Sequence, residues 1–230
     1  KPAAGFNPVE ARRRALTEHT FDEKNLRRFA AAAFDNKWCY WTDTRPLWNR
    51  SRPDLVEQHW EGNAFLYVRR FGRRPQERHP MCCGTALPDL HLMDPDIVAI
   101  PMRWRSRVMG VEHVSANLSE GAKRYLTSLA MPEPDTDSET ALLPWRHALA
   151  IGFSPAWLEE NGAAIRSGFP RVPVPASEER LRASASLGAQ LAALLDPDTP
   201  VKEVTTGAIR PELRDIGVIR REGGGALDPA

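Results

Sequence analysis

Arginine is concentrated in one short stretch of the chain, from residue 69 to residue 78. The stretch reads Arg69-Arg70-Phe71-Gly72-Arg73-Arg74-Pro75-Gln76-Glu77-Arg78 and contains five arginines and one acid. It directly follows the apolar run Ala64–Val68, whose composition predicts a strand. Loops that follow strands often carry side chains that contact nucleic acid. A solvated charged surface is the alternative, and we favour nucleic acid as the interpretation.

Two further clusters combine arginine with aromatic residues. The first, Phe34–Arg52, places four Trp and Tyr residues among its basic side chains, and the second is Arg103–Arg107. Such mixtures suit either a half-buried strand or a surface that binds a polyanion. We rank the candidate DNA contacts by preference. They are Arg69, Arg70, Arg73, Arg74 and Arg78, then Arg45, Arg50 and Arg52, then Arg103, Arg105 and Arg107.

Charge is unevenly distributed along the chain. The net charge at pH 7 is only +1. Residues 1–110, however, contain 19 Lys and Arg against 13 Asp and Glu, whereas residues 111–230 contain 12 against 17. This asymmetry indicates that the first part of the chain faces an anion.

Other reactive residue types do not form a recognisable catalytic or metal-binding pattern. His79, Cys82, Cys83 and His91 lack the paired ligand spacing of a zinc site. Asp35-Asn36-Lys37, with Asp22 before it, matches a short fragment of a metal-dependent nuclease motif, and an independent nuclease is therefore an alternative. The sequence has neither a GxxxxGK[ST] phosphate loop nor a GxSxG nucleophile motif. We therefore expect a binding function, with no active site, cofactor or metal in this chain.

Composition bounds the class of protein. With 230 residues, 42% hydrophobic and 27% charged, the chain is typical of a globular protein. No apolar run approaches the roughly 20 residues that span a bilayer, so no membrane contact is expected. Three cysteines without framework spacing fit a reducing, cytoplasmic environment. Since the chain starts at Lys1 without a signal peptide, we expect a piece of a longer polypeptide.

Local patterns predict a small sheet in the first half of the chain. Apolar and aromatic runs predict strands at Lys37–Thr42, Ala64–Val68 and Ile97–Met102. Ser51 and Pro53 predict a short helix to Trp60. Two helices are predicted before the sheet, at residues 8–18 and 20–33, the second from a capping box formed by Thr20 and Glu23.

Helices dominate the predictions for the second half. Ser119, Ser154 and Ser177 are predicted N-caps, and the helix after Ser177 extends to Leu195. A further helix is expected at 139–151, where Pro144 should kink or restart it. Asn161-Gly162 is predicted to end the helix after Ser154. The three alternating prolines of 169–175 require an extended segment that cannot be a central strand.

Several motifs together resemble the C-terminal region of large bacterial adenine-specific DNA methyltransferases. That family includes type ISP and type IIG restriction–modification enzymes and the methylases of DISARM-type phage defence. The motifs are Phe34–Trp41, Arg45–Asn49, Arg52-Pro53, Asn117–Glu120, His147–Pro155 and Gly168–Pro175. The family's usual Arg-Pro before Phe34 is Ala32-Ala33 in this chain, and Pro144 interrupts a helix that is normally unbroken.

The resemblance implies a target-recognition module for double-stranded DNA, with the methyltransferase domain and its S-adenosylmethionine site upstream. The expected fold is α/β (mixed α+β), a small mixed sheet with flanking helices followed by a helical subdomain. The expected organisation is a helical linker at 1–33, a DNA target-recognition domain at 34–115, a helical subdomain at 116–200 and a C-terminal extension at 201–230. The alternative is a module that docks other subunits of a multi-subunit phage-defence complex.

Overall fold

The computed structural model describes residues 5–43, 47–48, 51–72, 79–93 and 96–202. Six α-helices lie within these residues: α1 Pro8–Thr17, α2 Pro53–Val56, α3 Glu120–Ser128, α4 Ser138–Gly152, α5 Pro155–Ser167 and α6 Glu178–Leu195. Eight strands accompany them: β1 Leu26–Ala32, β2 Asp35–Tyr40, β3 Phe65–Arg69, β4 Met81–Gly84, β5 Leu87–Pro88, β6 Ile97–Pro101, β7 Arg103–Val108 and β8 Val111–Ala116. The predicted mixed α/β class is confirmed. No helix in the described ranges has the length and apolarity needed to cross a membrane.

The strands form two three-stranded sheets and one two-stranded ribbon within the described residues. In one sheet, β1 pairs antiparallel with β2 and parallel with β5. In the other, β3 lies between β4 and β6 and is antiparallel to both. The ribbon is the antiparallel pair of β7 and β8. The mixed sheet that the sequence predicts is therefore two small sheets.

Strand β3 is the centre of the core, and all five of its residues are buried. Successive side chains of a strand point to opposite faces. Leu66 and Val68 pack toward Leu149 of α4. Phe65 and Tyr67 pack in a second cluster that includes residues of β1 and β5. Because both faces of β3 are covered, its sequence is continuously apolar instead of alternating.

Helices α4 and α6 pack against each other at very short range. Gly188 of α6 lies directly against the main chain of Arg146, so that a Cβ at position 188 would overlap the Arg146 carbonyl oxygen. Gly152 at the end of α4 similarly leaves no room beside Met81. Leu181 and Ala185 of α6 complete a third buried cluster with α3 and α4. The helical part is thus a closely packed support for the sheet of β3.

The extended proline-rich segment at 169–175 is fastened to these helices by two side chains. His147 of α4 is buried and lies 2.8 Å through Nε2 from the carbonyl oxygen of Pro173. Its Nδ1 is 2.8 Å from the Ser184 hydroxyl of α6. The Tyr125 hydroxyl donates to the Pro175 carbonyl at 2.8 Å. As predicted, the segment is not part of a sheet, and its extended conformation stays a prediction.

The predicted helix N-caps are confirmed in the helical half. The side chains of Ser119, Ser154 and Ser177 accept hydrogen bonds from main-chain N–H groups in the first turns of α3, α5 and α6. A restart of the helix at Pro144 and a helix end at Asn161-Gly162 were both predicted wrongly. Pro144 lies inside α4, which continues past it, and a kink there stays a prediction. Asn161-Gly162 lies inside α5, which ends at Ser167.

The predicted helix at 20–33 was also wrong. Asp22 caps only a short 3-10 turn at Glu23–Asn25, and the alanine-rich run that follows is strand β1. Phe29 of this strand packs into the core cluster around Phe65. Pairing with β2 and β5 and burial of Phe29 outweigh the modest helical preference of alanine. The β1–β2 hairpin also crosses the 33/34 boundary, and the proposed division into domains stays a prediction.

The observed bounds of two elements near the first sheet differ from the predicted ones by a few residues. The strand predicted at Lys37–Thr42 is β2, Asp35–Tyr40. The helix predicted from Pro53 to Trp60 ends at Val56. Ser51 does not cap it, because its hydroxyl donates to Asp43 at 2.7 Å. Strands β4, β5, β7 and β8 were not predicted.

Candidate nucleic-acid interface

The β7–β8 ribbon carries one of the three predicted arginine clusters. Its register pairs Arg103 with Ala116 at one end and Val108 with Val111 at the other. Met109 and Gly110 form the turn and have positive φ values of 51° and 81°. Two positive φ values in a two-residue turn match the right-handed twist of paired strands. The strands therefore stay paired up to the turn, which we call the ribbon tip (residues 108–111).

Two buried side-chain amides hold the free edge of β7. Gln58 accepts from the Arg105 N–H at 2.7 Å and donates to the Arg105 carbonyl at 3.1 Å. Asn63 makes the same pair of contacts with Arg103, both at 3.1 Å. Gln58 and Asn63 are only 1% and 4% exposed. Each amide makes the hydrogen bonds that a neighbouring strand would make. Gln58 and Asn63 therefore fix the direction in which the ribbon extends.

The arginines at 103, 105 and 107 alternate along β7 and therefore share one face of the ribbon. The Arg105 guanidinium lies 4.3 Å from the centre of the Trp60 ring, and its Nε is 3.4 Å from a Glu112 carboxylate oxygen. The side chain of Arg107 is 74% exposed, and its guanidinium comes no closer than 4.0 Å to a Glu112 carboxylate oxygen. Arg107 is thus placed for an external anion, whereas Arg105 is held by Trp60.

The opposite face of the ribbon contains no ionised carboxylate. Trp104, Ser106 and Val108 alternate along β7, and Ser106 lies opposite His113. His113 is exposed, and Trp104 is 41% exposed. Hydroxyl and imidazole groups can hydrogen-bond to base edges or phosphates. Ser106 and His113 were not predicted as candidate contacts, although a period of two along the sequence indicates which residues share a face with them.

The arginine loop is described only at its start. Arg69 is the last residue of β3, its N–H donates to the Pro80 carbonyl at 2.8 Å, and it is buried. Arg70 follows and is exposed. The Gly72 N–H donates to the Arg166 carbonyl of α5 at 3.3 Å. Arg73, Arg74 and Arg78 lie outside the described residues. Contact of these arginines with DNA stays a prediction.

The loop after β2 folds back onto that strand. The indole N–H of Trp41 donates to the Ser51 carbonyl at 2.6 Å, and that of Trp48 donates to the Tyr40 carbonyl at 2.9 Å. Arg52 precedes α2, is exposed and has a φ of 50°. Arg45 and Arg50 lie outside the described residues. Trp41 and Trp48 therefore fasten the loop, and Arg52 is an exposed cation at its described end.

A second exposed tryptophan site lies on the β1–β2 hairpin. The Arg28 guanidinium lies 5.1 Å from the centre of the Trp38 ring, and Trp38 is 66% exposed. Arg28 also forms an ion pair with Asp198, which accepts from the Asn36 amide at 2.9 Å. The pKa of Asp198 is lowered, mainly by Arg28 and then by Asn36. Arg28 joins the hairpin to the segment after α6.

The residues considered for a nuclease or metal site are dispersed. Lys37 pairs with Asp35 at 3.0 Å on the surface, and Asp22 caps the turn before β1. Burial raises the pKa values of Cys82 and Cys83 to about 12, so both are thiols at neutral pH. Within the described ranges, no three His, Cys, Asp or Glu side chains meet in a way that could hold a metal ion.

Several solved structures share the fold of this chain. A cryo-EM structure of a DrdV–DNA complex aligns with a TM-score of 0.60 at 15% identity, over 94% of this chain and 21% of that chain. The ATP-dependent Type ISP restriction-modification enzyme LlaBIII bound to DNA aligns at 0.57 and 11% identity, over 86% and 12%. A nuclease-deletion mutant of the Type ISP enzyme LlaGI with a DNA substrate mimic aligns at 0.52 and 14%, over 85% and 13%. The chain thus spans about a fifth or less of these proteins.

Sequence comparison identifies the family. A family model described as the Type ISP C-terminal specificity domain matches residues 6–207. The match covers most of the chain, and the chain therefore belongs to this family. None of the curated protein sequences matches it. The predicted resemblance to the C-terminal recognition region of type ISP enzymes is confirmed.

Proposed function

We propose that the chain is the DNA target-recognition module of a type ISP restriction–modification enzyme. The observation that carries this proposal is the match of the specificity-domain family over residues 6–207. The two aligned Type ISP enzymes were each solved with DNA or a DNA substrate mimic. This assignment does not favour the alternative of a protein-docking module.

The described surface supports the proposal through its exposed arginines. Arg52, Arg70 and Arg107 are exposed and lie on a loop, at a strand end and on the ribbon, respectively. Arginine forms bidentate hydrogen bonds with phosphate and with guanine. Phosphate contacts position a protein on duplex DNA, and contacts with base edges provide sequence specificity.

The proposal extends to the enzyme of which such a module forms part. That enzyme methylates adenine N6 of DNA in the cytoplasm of a bacterium as part of phage defence. Further subunits of a defence complex are not required by this assignment. S-adenosylmethionine supplies the methyl group at a site in the methyltransferase domain. The role of this chain is to hold the target sequence in place for that domain.

Binding to duplex DNA across a salt series tests the proposal. A labelled random duplex and the 230-residue chain are titrated by fluorescence anisotropy. If arginines neutralise phosphates, affinity falls steeply with salt, with about one unit of logarithmic slope for each phosphate contact. No binding at low salt, or binding that is insensitive to salt, would contradict the proposal.

A matched pair of triple variants locates the binding surface. The test variant changes Arg52, Arg70 and Arg107 to Gln. The control changes three exposed arginines of the helical half to Gln, namely Arg124, Arg171 and Arg180. Both lose the same formal charge, so only a local contact separates them. We expect the test variant to lose affinity and salt slope and the control to retain most of both.

A further inference from the structure

The ribbon tip combines two features that are unfavourable in an isolated protein. Met109 is 99% exposed, so no described residue covers its side chain. Val108 and Val111 on either side are 55% and 57% exposed. The tip therefore presents a continuous apolar surface to water at the end of a polar ribbon.

Met109 is also an unfavourable residue for its backbone conformation. Its φ of 51° lies in the left-handed region, where Asn, Asp and Gly are preferred at this position of a two-residue hairpin turn. An asparagine would stabilise the turn and remove the exposed apolar surface. Residues that break a local rule without a compensating contact in the folded chain are typical of functional positions.

We propose that the ribbon tip enters the major groove of duplex DNA and that Met109 contacts the C5-methyl group of a thymine. This inference rests on the proposed function. The major groove is about 12 Å wide and admits a two-stranded ribbon, whereas the minor groove is about 6 Å wide. The thymine methyl is the apolar group that bases present in the major groove. Met109 is the most exposed apolar side chain at the tip.

The neighbouring side chains fit this orientation. Arg107 is two residues before Met109, and its side chain is 74% exposed, so it can reach a phosphate at the edge of the groove. Ser106 and His113 face each other further from the tip and can hydrogen-bond to adjacent base edges. Gln58 and Asn63 fix the base of the ribbon, which limits the orientations that the tip can take.

The experiment begins with selection of preferred sequences from a randomised duplex library by the 230-residue chain. Each thymine of the selected sequence is then replaced singly by uracil, which lacks the C5-methyl group. Affinities are measured for the wild type, Met109→Asn, Met109→Leu and the control Leu187→Ala. Leu187 is 58% exposed on α6, so the control also removes exposed apolar surface.

We expect one uracil replacement to weaken wild-type binding about three- to tenfold, as loss of a methyl contact should. Met109→Asn should bind the thymine sequence with the same loss and should not distinguish uracil from thymine at that position. Met109→Leu and Leu187→Ala should keep the distinction. The melting temperature of Met109→Asn should be unchanged or higher, which separates recognition from folding.

Two sets of results overturn the inference while DNA binding stands. One is a selected sequence without thymine, or a wild type that is indifferent to uracil at every position. The other is a Met109→Asn variant that still distinguishes uracil from thymine as the wild type does. By contrast, a chain that neither binds DNA nor enriches any sequence overturns the proposed function, and this inference falls with it.

Discussion

Gly188 in α6 and Met109 in the β7–β8 ribbon both go against the preference of their local backbone. Glycine is unfavourable inside a helix, but at position 188 it allows α4 and α6 to meet at the Arg146 carbonyl. Methionine is unfavourable at φ 51°, and no described residue covers Met109. At Gly188 the cost is offset inside the molecule, whereas at Met109 no described residue offsets it and we propose that DNA does.

This difference separates the helical half from the ribbon. Polar groups of the helical half are used internally, as with His147, which lies between Ser184 and Pro173. The ribbon keeps its Arg107 and Met109 side chains in water. We therefore expect substitutions in the helical half to change the free energy of unfolding and those at the exposed ribbon positions, such as 107 and 109, to change DNA affinity.

The largest expected effect is that of Gly188→Ala. Alanine is normally the better helix residue by about 1 kcal/mol, but its Cβ would overlap the Arg146 carbonyl oxygen. The main chain of Arg146 can give way only by moving α4 from α6. We expect a loss of about 3 kcal/mol or more in the free energy of unfolding, measured by urea denaturation.

Gly162→Ala in α5 provides the control for that substitution. A Cβ there would meet only the end of the Arg166 side chain, at 3.6 Å. The change should therefore stabilise the chain by about 0.5–1 kcal/mol through helix preference. If Gly188→Ala were as stable as Gly162→Ala, the close contact of α4 and α6 would not exist in solution.

Gln58→Leu should have the next largest effect and tests how the segment after α2 holds the ribbon. Leucine fills similar space but leaves the Arg105 N–H and carbonyl without their buried partner. We expect a loss of about 2–3 kcal/mol in the free energy of unfolding. The rate of amide hydrogen exchange should increase most at the Arg105 N–H. Unchanged exchange there would show that the ribbon does not depend on Gln58.

Arg107→Gln should act on binding and leave folding intact. Its side chain is exposed and comes no closer than 4.0 Å to Glu112. The unfolding free energy should therefore change by less than about 0.5 kcal/mol. The logarithmic salt slope of DNA binding should fall by about one. Arg105→Gln, which loses the stacking on Trp60, should instead lower stability. Equal effects of the two variants on salt dependence would remove the distinction between them.

The smallest effect concerns pH. Asp135 accepts from the Ala116 N–H of β8 at 2.9 Å and from Lys123 at 2.7 Å. Chiefly through Lys123, its pKa is lowered from the ordinary 3.8. A lowered folded-state pKa stabilises the fold above pH 3.8 and loses that contribution as pH falls through the folded value.

Asp135→Asn should therefore be less stable than the wild type at pH 7 and converge with it in acid. The difference at pH 7 should not exceed about 1 kcal/mol, since both partners are partly exposed. Urea midpoints at several pH values measure it. DNA sequence preference should not change, because Asp135 anchors the base of the ribbon rather than its tip. A constant difference at all pH values would assign the effect to packing.

Local signals in the sequence predicted the helical half well. A serine that caps a helix acts within its first turn, so Ser119, Ser154 and Ser177 could be recognised without the fold. Strand β1 could not, because its partner β5 lies far away in sequence and an alanine-rich run prefers a helix by itself. The restart predicted at Pro144 was wrong because α4 packs closely on α6, which favours a continuous helix beyond what local rules indicate.

The candidate interface was only partly predictable. Clusters of arginine pointed to an anionic partner, but the sequence could not show that Trp60 holds Arg105 or that Arg69 ends a buried strand. These contacts join residues distant in sequence. The ribbon tip was missed because Val108-Met109-Gly110-Val111 lacks the Asn-Gly or Asp-Gly signal of a hairpin turn.

The ion pair of Arg28 with Asp198 has a consequence for how such a module can be inherited. It brings together positions 170 residues apart, so the main chain enters and leaves this region side by side. A segment with adjacent ends can be cut out and replaced as one cassette without stretching its surroundings.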